Sequence, residues 1–217
     1  MLKATGIQKS YGHLKVLKSV DLEVAKGEIV AIVGASGAGK STLLHILGTL
    51  DNPDSGKVFI HGKDVFSQTS RHIAAFRNKS IGFVFQFHNL LPEFSAIENV
   101  MMPGFIGGKD PKEVRRRAEE LLRMLGIIDR SEHKPSELSG GEQQRAAVAR
   151  ALINSPDLIL ADEPSGNLDS HTAVELHNLF FQLRKDLNQT FVIVTHNSDL
   201  SKMADRRMEI RDGIIVN

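Results

Sequence analysis

Four apolar runs form the framework of the chain. Each has the length of a strand and lacks the polar alternation of a half-exposed strand, which is typical of strands buried on both faces of a sheet. The runs occupy residues 29–33, 80–85, 158–161 and 191–195. Segments with helical periodicity lie between them, one of them with its apolar stripe at Leu176, Leu179, Phe180 and Leu183. The pattern predicts an α/β core.

The N-terminal part of the chain carries shorter strand signals. Residues 2–7 and 20–25 are predicted strands on either side of a polar loop at residues 10–18. A dense turn signal at residues 52–56, with Pro, Asp and Gly, then precedes a further predicted strand at residues 57–61. These strands come before the helix-rich part of the chain.

Residues 82–154 are rich in helix signals and poor in strands. The run from Ser95 to Glu98 has the form of a capping box, and Pro111 stands at the first position of another helix. That helix places apolar residues on one face, at Val114, Ala118, Leu121, Leu122 and Leu125. We therefore predict one domain, residues 1–217, in which a helical subdomain of about 86–154 is inserted into a core of about 1–85 and 155–217.

A glycine-rich loop follows the first apolar run and precedes a helical segment. It fits G-x-x-x-x-G-K-[ST] in the strand-to-helix context that this pattern requires. Its residues are Gly34, Ala35, Ser36, Gly37, Ala38, Gly39, Lys40 and Ser41. Such a loop turns several backbone N–H groups toward phosphate oxygens, and the positive end of the next helix adds to them. The loop predicts a bound nucleoside triphosphate, with Lys40 on the β- and γ-phosphates and Ser41 on Mg²⁺.

Polar side chains follow each of the other apolar runs. Gln86 comes after the second run, and Asp162 and Glu163 come after the third. His196 comes after the fourth run. Because ligands bind outside the carboxyl ends of strands in open α/β sheets, these sites should converge on one nucleotide. Next to a bound phosphate, Asp162 is a natural partner of Mg²⁺ and Glu163 of the attacking water.

For two features, the local sequence is compatible with two interpretations each. Ser139, Gly140 and Gly141 open an apolar helix, which makes either a second anion site or an ordinary N-cap. Tyr11 is the only tyrosine, and its ring either stacks on an adenine or covers the edge of the core. For Tyr11 the loop by itself favours the second interpretation.

Composition excludes several classes of function. The 217 residues carry 27 Lys and Arg against 26 Asp and Glu, so a net charge of +1 gives no general field for nucleic acid. No apolar run approaches the roughly 18–20 residues that span a bilayer, and the N-terminus lacks a signal-peptide apolar region. We therefore expect a cytoplasmic protein. The absence of cysteine rules out disulfides, thiolate metal sites and a cysteine nucleophile.

Together these motifs resemble the nucleotide-binding subunits of ABC transporters, over essentially the whole chain. The glycine-rich loop corresponds to Walker A, and LSGGEQQ at residues 138–144 to the signature. LILADE at residues 158–163 corresponds to Walker B, and His196 to the switch histidine. The resemblance implies a P-loop NTPase core with a mainly parallel sheet, an N-terminal antiparallel β-subdomain and an inserted α-helical subdomain. It also implies an ATPase that uses ATP and Mg²⁺.

The resemblance implies further roles for single residues. Thr42 would continue the phosphate contacts, and Tyr11 would stack on the adenine. Gln86 would touch Mg²⁺ together with Ser41 and Asp162, and would sense the transport subunit. Lys40, Glu163 and His196 would be the catalytic groups, with Glu163 polarising the in-line water.

The resemblance also implies that two chains work together. The signature residues of one chain would cap the γ-phosphate of ATP held by the other chain, in a homodimer with two nucleotides between its subunits. These residues are Ser139, Gly140, Gly141 and Glu142. We further expect residues 87–102, which are rich in aromatic side chains beside Gln86, to form a groove for a cytoplasmic helix of membrane subunits.

Within the family, residues 161–169 (ADEPSGNLD) and 87–94 (FHNLLPEF) resemble the group that comprises LolD, MacB and FtsE. This implies a peripheral protein at the cytoplasmic face of the bacterial inner membrane, attached through two integral-membrane subunits of the LolC/LolE type and powering lipoprotein release. Export of the MacB type and a cell-division role of the FtsE type are alternatives. Ser165, where the group usually has Thr, and Asn197, where an acid usually follows the histidine, depart from the group pattern.

Other ATP- and GTP-dependent classes fit the chain less well. Soluble ABC ATPases of DNA repair or translation usually carry long coiled-coil insertions or two cassettes, and this sequence has neither. A small GTPase would carry the guanine-reading pattern N-K-x-D, which does not occur. With a net charge of +1, we also expect no nucleic-acid partner.

Overall fold

The computed structural model describes residues 1–216, in which the chain forms two sheets and seven α-helices. The strands are β1 (Leu2–Tyr11), β2 (Leu14–Val24), β3 (Ile29–Val33), β4 (Ser55–Ile60), β5 (Lys63–Asp64), β6 (Ile81–Phe85), β7 (Leu158–Asp162), β8 (Thr190–Val194), β9 (Arg206–Arg211) and β10 (Ile214–Val216). The helices are α1 (Lys40–Leu47), α2 (Ser70–Ser80), α3 (Ala96–Ile106), α4 (Pro111–Met124), α5 (Gly140–Leu152), α6 (Ser170–Leu187) and α7 (Ser198–Met203).

The larger sheet has the strand order β10-β9-β3-β8-β7-β6. All its neighbouring strands run parallel except β10, which pairs antiparallel with β9 at one edge. The four apolar runs of the sequence form β3, β6, β7 and β8, and every residue of β3 and β8 is buried. The predicted α/β core with a mainly parallel sheet is therefore confirmed.

Alternate residues of the central strands belong to two separate hydrophobic clusters. In β8, Phe191 and Ile193 pack into the cluster that includes α3, α4, α5 and α6, whereas Val192 and Val194 pack against α1 and the smaller sheet. Because both faces of such a strand are buried, neither face carries polar residues, and the sequence is apolar without interruption.

The smaller sheet is antiparallel, in the order β2-β1-β4-β5, as the family resemblance implied. The prediction of a polar loop at residues 10–18 was wrong, since β1 extends to Tyr11 and β2 begins at Leu14. Gly12, with a φ of 61°, lies in the tight turn between them. One face of this hairpin is exposed, so its polar residues alternate with buried ones such as Leu17 and imitate a loop.

Helix α2 was not predicted from the sequence. Ser80 is its only fully buried residue, so the helix has no continuous apolar stripe that would reveal a 3.6-residue period. The helices between β6 and β7 carry clearer signals. Ser95 and Glu98 form the predicted capping box at the start of α3, and Pro111 begins α4.

Helices α3, α4 and α5 lie between β6 and β7 in the chain and pack against one another. The predicted stripe of α4 is buried in their shared cluster. This packing fixes α5, the helix that begins directly after Ser139. Among residues 1–216, none of the helices combines the length and apolar character that crossing a bilayer requires.

Candidate active site

The carboxyl ends of four parallel strands open into one cleft of about 620 Å³. β3 leads into the glycine-rich loop, β6 into Gln86, β7 into Glu163 and β8 toward His196. The cleft is lined by Tyr11, Leu14, Val16, Gly34, Ser36, Gly37, Gly39, Lys40, Ser41, Thr42, Gln86, Glu163 and His196. The structure thus brings together the polar groups that the sequence places after separate strands.

The glycine-rich loop is shaped by close backbone approaches. Gly34 has a φ of 152°, and a side chain there would meet the backbone oxygen of Ile210 at 2.2 Å. Gly39 has a φ of 102° and provides the N-cap of α1 without a capping side chain. The first N–H groups of a helix have no intrahelical acceptor, so those of α1 remain available to an anion in the cleft.

The ammonium group of Lys40 lies folded over this loop. Its Nζ donates to the backbone oxygens of Gly34 at 2.9 Å and Ala35 at 3.0 Å. Ala38 N–H also donates to the Ala35 oxygen at 3.2 Å. The loop therefore holds a positive charge at its centre by contacts within a few residues of sequence.

Asp162, at the end of β7, and Ser41, in the first turn of α1, are in direct contact. The Ser41 hydroxyl donates to Asp162 Oδ1 at 3.1 Å. Burial raises the pKa of the Asp162 carboxyl, while the Ser41 hydrogen bond and the nearby positive charge of Lys40 oppose that rise. A half-buried carboxyl with a raised pKa is a position where a cation compensates for lost hydration.

The side-chain oxygen atoms at this position are suitable ligands for Mg²⁺. A hydroxyl at Ser41, a carboxylate at Asp162 and the amide oxygen of Gln86 are hard oxygen ligands. The described residues contain no group of three or more His, Cys, Asp or Glu side chains that could hold a metal ion. Mg²⁺ commonly takes few protein ligands and completes its shell with phosphate oxygens and water.

Glu163 and His196 are in direct contact. Glu163 Oε2 lies 2.9 Å from His196 Nδ1 and accepts the His196 backbone N–H at 3.2 Å. The Glu163 N–H donates to the oxygen of Val194 at 2.9 Å, and Glu163 adopts a φ of 45°, in the left-handed region. A non-glycine residue in that region is a local strain that the surrounding contacts must maintain. One carboxylate oxygen is thus fixed, which leaves Oε1 for a further partner.

Tyr11 is 51% exposed and lines the cleft, so it does not cover the edge of the core. Its hydroxyl donates to Asp51 Oδ2 at 2.6 Å, and this bond raises the pKa of the phenol. Lys9 Nζ lies 5.2 Å from the ring centroid and is itself bound to Asp51 Oδ1 at 2.7 Å. The bond between its hydroxyl and Asp51 thus orients the ring beside the cleft.

The signature residues form a second cleft, apart from the first. Ser139 caps α5: its Oγ accepts the Glu142 N–H at 3.3 Å, and Glu142 Oε2 accepts the Ser139 N–H at 2.8 Å. The N-cap interpretation is confirmed, and it leaves the other first-turn N–H groups open to an anion. These two residues line their cleft with Gly140, Gly141, Asn167, Asp169 and Thr172. A single chain does not place them on the glycine-rich loop.

Two residues that contact the Gln86 side of the cleft were missed by the sequence analysis. Asn167 exchanges two hydrogen bonds with Gln86. Arg150 donates to the backbone oxygens of His88 at 2.6 Å and Asn89 at 2.5 Å. Arg150 follows the apolar stretch of residues 146–149 within α5, and this charge was a usable signal because a charge among apolar residues needs acceptors.

Comparison with known protein families identifies the family of the chain. The family model for ABC transporters matches residues 17–166. The chain belongs to the ABC transporter family. The resemblance carried by the loop, signature and strand-end motifs is therefore confirmed.

Full-length relatives indicate to which group of the ABC family the chain belongs. It is 61% identical to the lipoprotein-releasing system ATP-binding protein LolD of Bacteroides thetaiotaomicron, over 99% of each chain. It is 59% identical to the protein of the same name from Cytophaga hutchinsonii, over 100% of this chain and 99% of that one. Within the LolD, MacB and FtsE group, the chain is thus an ATP-binding subunit of the LolD type.

Solved ABC cassettes share the whole fold. The dimeric structure of MJ0796, a bacterial ABC transporter cassette, has a TM-score of 0.92 and 39% identity, over 100% of this chain and 97% of that one. A dimeric post-hydrolysis state of the same cassette, bound to ADP and Pi, gives a TM-score of 0.91 at 39% identity over the same shares. The fold class is therefore confirmed on both sequence and structure.

Proposed function

We propose that this chain is the ATP-hydrolysing subunit of an ABC transporter that releases lipoproteins from the bacterial inner membrane. The observation that carries the proposal is the single cleft that holds a phosphate-binding loop opposite a fixed Glu163–His196 pair. The relatives that are about 60% identical supply the lipoprotein-releasing part, because they carry that name over their full length.

The loop positions the triphosphate of ATP. N–H groups of residues 34–42 and the start of α1 face the phosphates, and Lys40 turns from its loop carbonyls to the β- and γ-phosphates. Tyr11 stacks on the adenine. Ser41, Gln86 and Asp162 hold Mg²⁺, which neutralises the charge of the phosphate oxygens when it is bound.

Glu163 and His196 act at the γ-phosphate. Glu163 accepts a hydrogen bond from the attacking water through Oε1, while His196 holds Oε2 and contacts the γ-phosphate. The preorganised N–H groups of the loop stabilise the charge that develops during transfer to water. Hydrolysis leaves ADP and phosphate.

Two copies of the chain form the complete site. The signature cleft lies apart from the loop cleft, so Ser139, Gly140 and Gly141 reach a γ-phosphate only from a second chain. Glu142 supports them by capping Ser139. The dimeric state of the solved MJ0796 cassette supports the same arrangement here.

Membrane subunits of the LolC/LolE type dock next to Gln86, and they hold the chain at the cytoplasmic face of the inner membrane. Phe87 is 73% exposed and Phe94 is 37% exposed in the segment that follows Gln86. Nearby, α2, α3 and α5 enclose a cavity of about 380 Å³ with a largely apolar lining. Phe87 and Phe94 lie within residues 87–102, and together with the cavity beside them they suit an amphipathic helix of the partner. The helical subdomain of about residues 86–154 provides this surface.

A charge at Phe87 or Phe94 tests the docking surface. Phe87→Asp and Phe94→Asp should weaken both assembly with the membrane subunits and lipoprotein transport, because an apolar contact would acquire a buried charge. Normal assembly and transport in both variants would contradict this position of the partner.

The decisive experiment uses Glu163→Gln. This variant should bind ATP, lose hydrolysis by about 10²- to 10⁴-fold and accumulate closed dimers, because the amide cannot act as a base. Expressed with its native membrane proteins and ATP, it should co-purify a membrane pair with large periplasmic domains and bound lipoprotein.

Other results would change the proposal in defined ways. A different membrane partner would keep the ATPase and move the function to export of the MacB type or cell-division control of the FtsE type. Co-purification without any membrane protein would favour a soluble ABC ATPase. Near-normal hydrolysis by Glu163→Gln would remove Glu163 from its catalytic role.

A further inference from the structure

Gln86 is held by the segment of residues 165–169, between β7 and α6. Gln86 Nε2 donates to Asn167 Oδ1 at 2.8 Å, and Asn167 Nδ2 donates to the backbone oxygen of Gln86 at 3.2 Å. We propose that Asn167, together with Gly166, is a positioning residue that orients the Gln86 amide for the ATP site. The inference rests on the proposed function, because it gives a partner to a residue of the ATP site.

The two hydrogen bonds determine which way the amide of Gln86 faces. A backbone carbonyl can only accept, so the Asn167 NH₂ group must face the Gln86 carbonyl. That places Asn167 Oδ1 toward the Gln86 side chain, and an oxygen there requires a donor. Gln86 therefore presents its NH₂ group to Asn167 and keeps Oε1 free. Mg²⁺ takes oxygen ligands, so Oε1 is the atom that the site needs.

Gly166 supplies the space for this contact. A side-chain carbon at Gly166 would lie 2.8 Å from Gln86 Nε2 and 3.0 Å from Gln86 Cδ. Gly166 is not among the glycines with positive φ, so alanine is compatible with its backbone. A methyl group there would move the end of the Gln86 side chain and little else. Gly166→Ala thus separates the position of Gln86 from the stability of the fold.

Asn167 also lies between the two clefts. It lines the signature cleft with Ser139 and Gly140, while its hydrogen-bond partner Gln86 lines the loop cleft. The amide pair is therefore a direct contact from one cleft to the other.

The first test needs neither nucleotide nor activity. In the ¹⁵N-labelled, nucleotide-free chain, the Gln86 side-chain NH₂ signal is assigned by its loss in Gln86→Glu. Asn167→Ala and Gly166→Ala should each shift this signal toward that of an exposed glutamine and speed its exchange with water. Asn52→Ala is the matched control, because the hydrogen bonds of exposed Asn52 with Lys9 and Asp51 come from its backbone. An unchanged signal in both Asn167→Ala and Gly166→Ala would overturn the proposal.

The second test is a double-mutant cycle on the Mg²⁺ dependence of ATP hydrolysis. Asn167→Ala should raise the Mg²⁺ concentration for half-maximal turnover about two- to tenfold, the range expected for one hydrogen bond. In a Gln86→Ala background the same change should add nothing, since Asn167 acts through Gln86. Effects that multiply would contradict the positioning role. A wild-type chain without ATPase activity would contradict the proposed function and leave the NMR result standing.

Discussion

On one side of the nucleotide cleft, Lys40 reaches carbonyls five and six positions away in the sequence. On the other side, Gln86 is bound to Asn167, 81 positions away, and Arg150 holds the oxygen of His88, 62 positions away. The hydrogen bonds of Lys40 are therefore local in sequence, although the loop itself also packs closely against Ile210. The Gln86 side depends on elements that meet only when the domain has folded.

We expect the two sides to respond differently when their surroundings move. The loop side presents backbone N–H groups that remain in place wherever β3 and α1 are formed. The Gln86 side is a set of side-chain contacts between elements, and His88 and Asn89 in it adopt left-handed φ values of 58° and 51°. Such conformations persist only while their surroundings hold them. We expect the Gln86 side to be the adjustable half of the site.

The largest effect should come from the loop side. Lys40→Ala removes the charge that meets the β- and γ-phosphates, and we expect turnover to fall by about 100-fold or more, as for the loss of one charge-stabilising donor. Steady-state ATPase and fluorescent-nucleotide binding measure the change. Circular dichroism should remain unchanged, because the bonds of Lys40 go only to two carbonyls of its own loop. ATP binding with wild-type affinity would contradict the role of Lys40.

Arg150→Ala should destabilise the turn at His88 and Asn89, on the Gln86 side of the cleft. It leaves the His88 and Asn89 carbonyls without their charged donor, and we expect a loss of about 2–3 kcal/mol in the free energy of unfolding. Urea unfolding measures the loss. Arg123→Ala, at an exposed position near the end of α4, is the control and should change stability by about 0.5 kcal/mol or less. Equal effects of the two substitutions would show that the bonds to the turn carry no stability.

Tyr11 sharpens the comparison because it lines the same cleft but belongs to the smaller sheet, and we propose that it stacks on the adenine. Tyr11→Ala should raise the KM for ATP about tenfold, since one base stacked on an aromatic ring gains about 1–3 kcal/mol. Tyr11→Phe keeps the ring and loses only the bond to Asp51, so its KM should stay within about twofold of wild type. A large rise in the phenylalanine variant would assign the effect to the hydroxyl instead.

The smallest effect should be a dependence on pH at His88. Burial lowers the pKa of His88 and the charge of Arg150 adds to this, while a hydrogen bond with Gln143 opposes it. Because the folded pKa lies below the unfolded value near 6.5, the unfolded chain binds more protons in acid. The contribution of His88 is therefore complete above about pH 6.5 and is lost as the pH falls toward the folded pKa.

His88→Asn tests this contribution, since asparagine tolerates a left-handed φ. Between about pH 7 and pH 5.5, the free energy of unfolding should fall less in the variant than in wild type. The pKa of His177 is also lowered by burial, but His177 is present in both proteins and cancels in the difference. Parallel pH profiles would show that His88 takes no part.

Two errors of the sequence analysis share one physical cause. The polar stretch at residues 10–18 is mostly strand, because an exposed face of a hairpin has the composition of a loop. Helix α2 buries a single residue fully and so lacks an apolar stripe. Both errors arise where burial is partial, since periodicity reports only the faces that packing has made apolar.

The sequence by itself determined the family, the parallel core and the chemical groups at each strand end. Each motif and each buried strand behind these conclusions is a contiguous run of residues, and β3 followed by its glycine-rich loop is the clearest example. Only the tertiary structure decided which atoms of those groups remain free: Gln86 Oε1, because Asn167 occupies the NH₂ group, and Glu163 Oε1, because His196 occupies Oε2. It also decided that the signature cleft lies apart from the loop cleft. The reason is physical: a hydrogen bond between distant residues depends on how whole elements pack, and no short run of sequence contains that information.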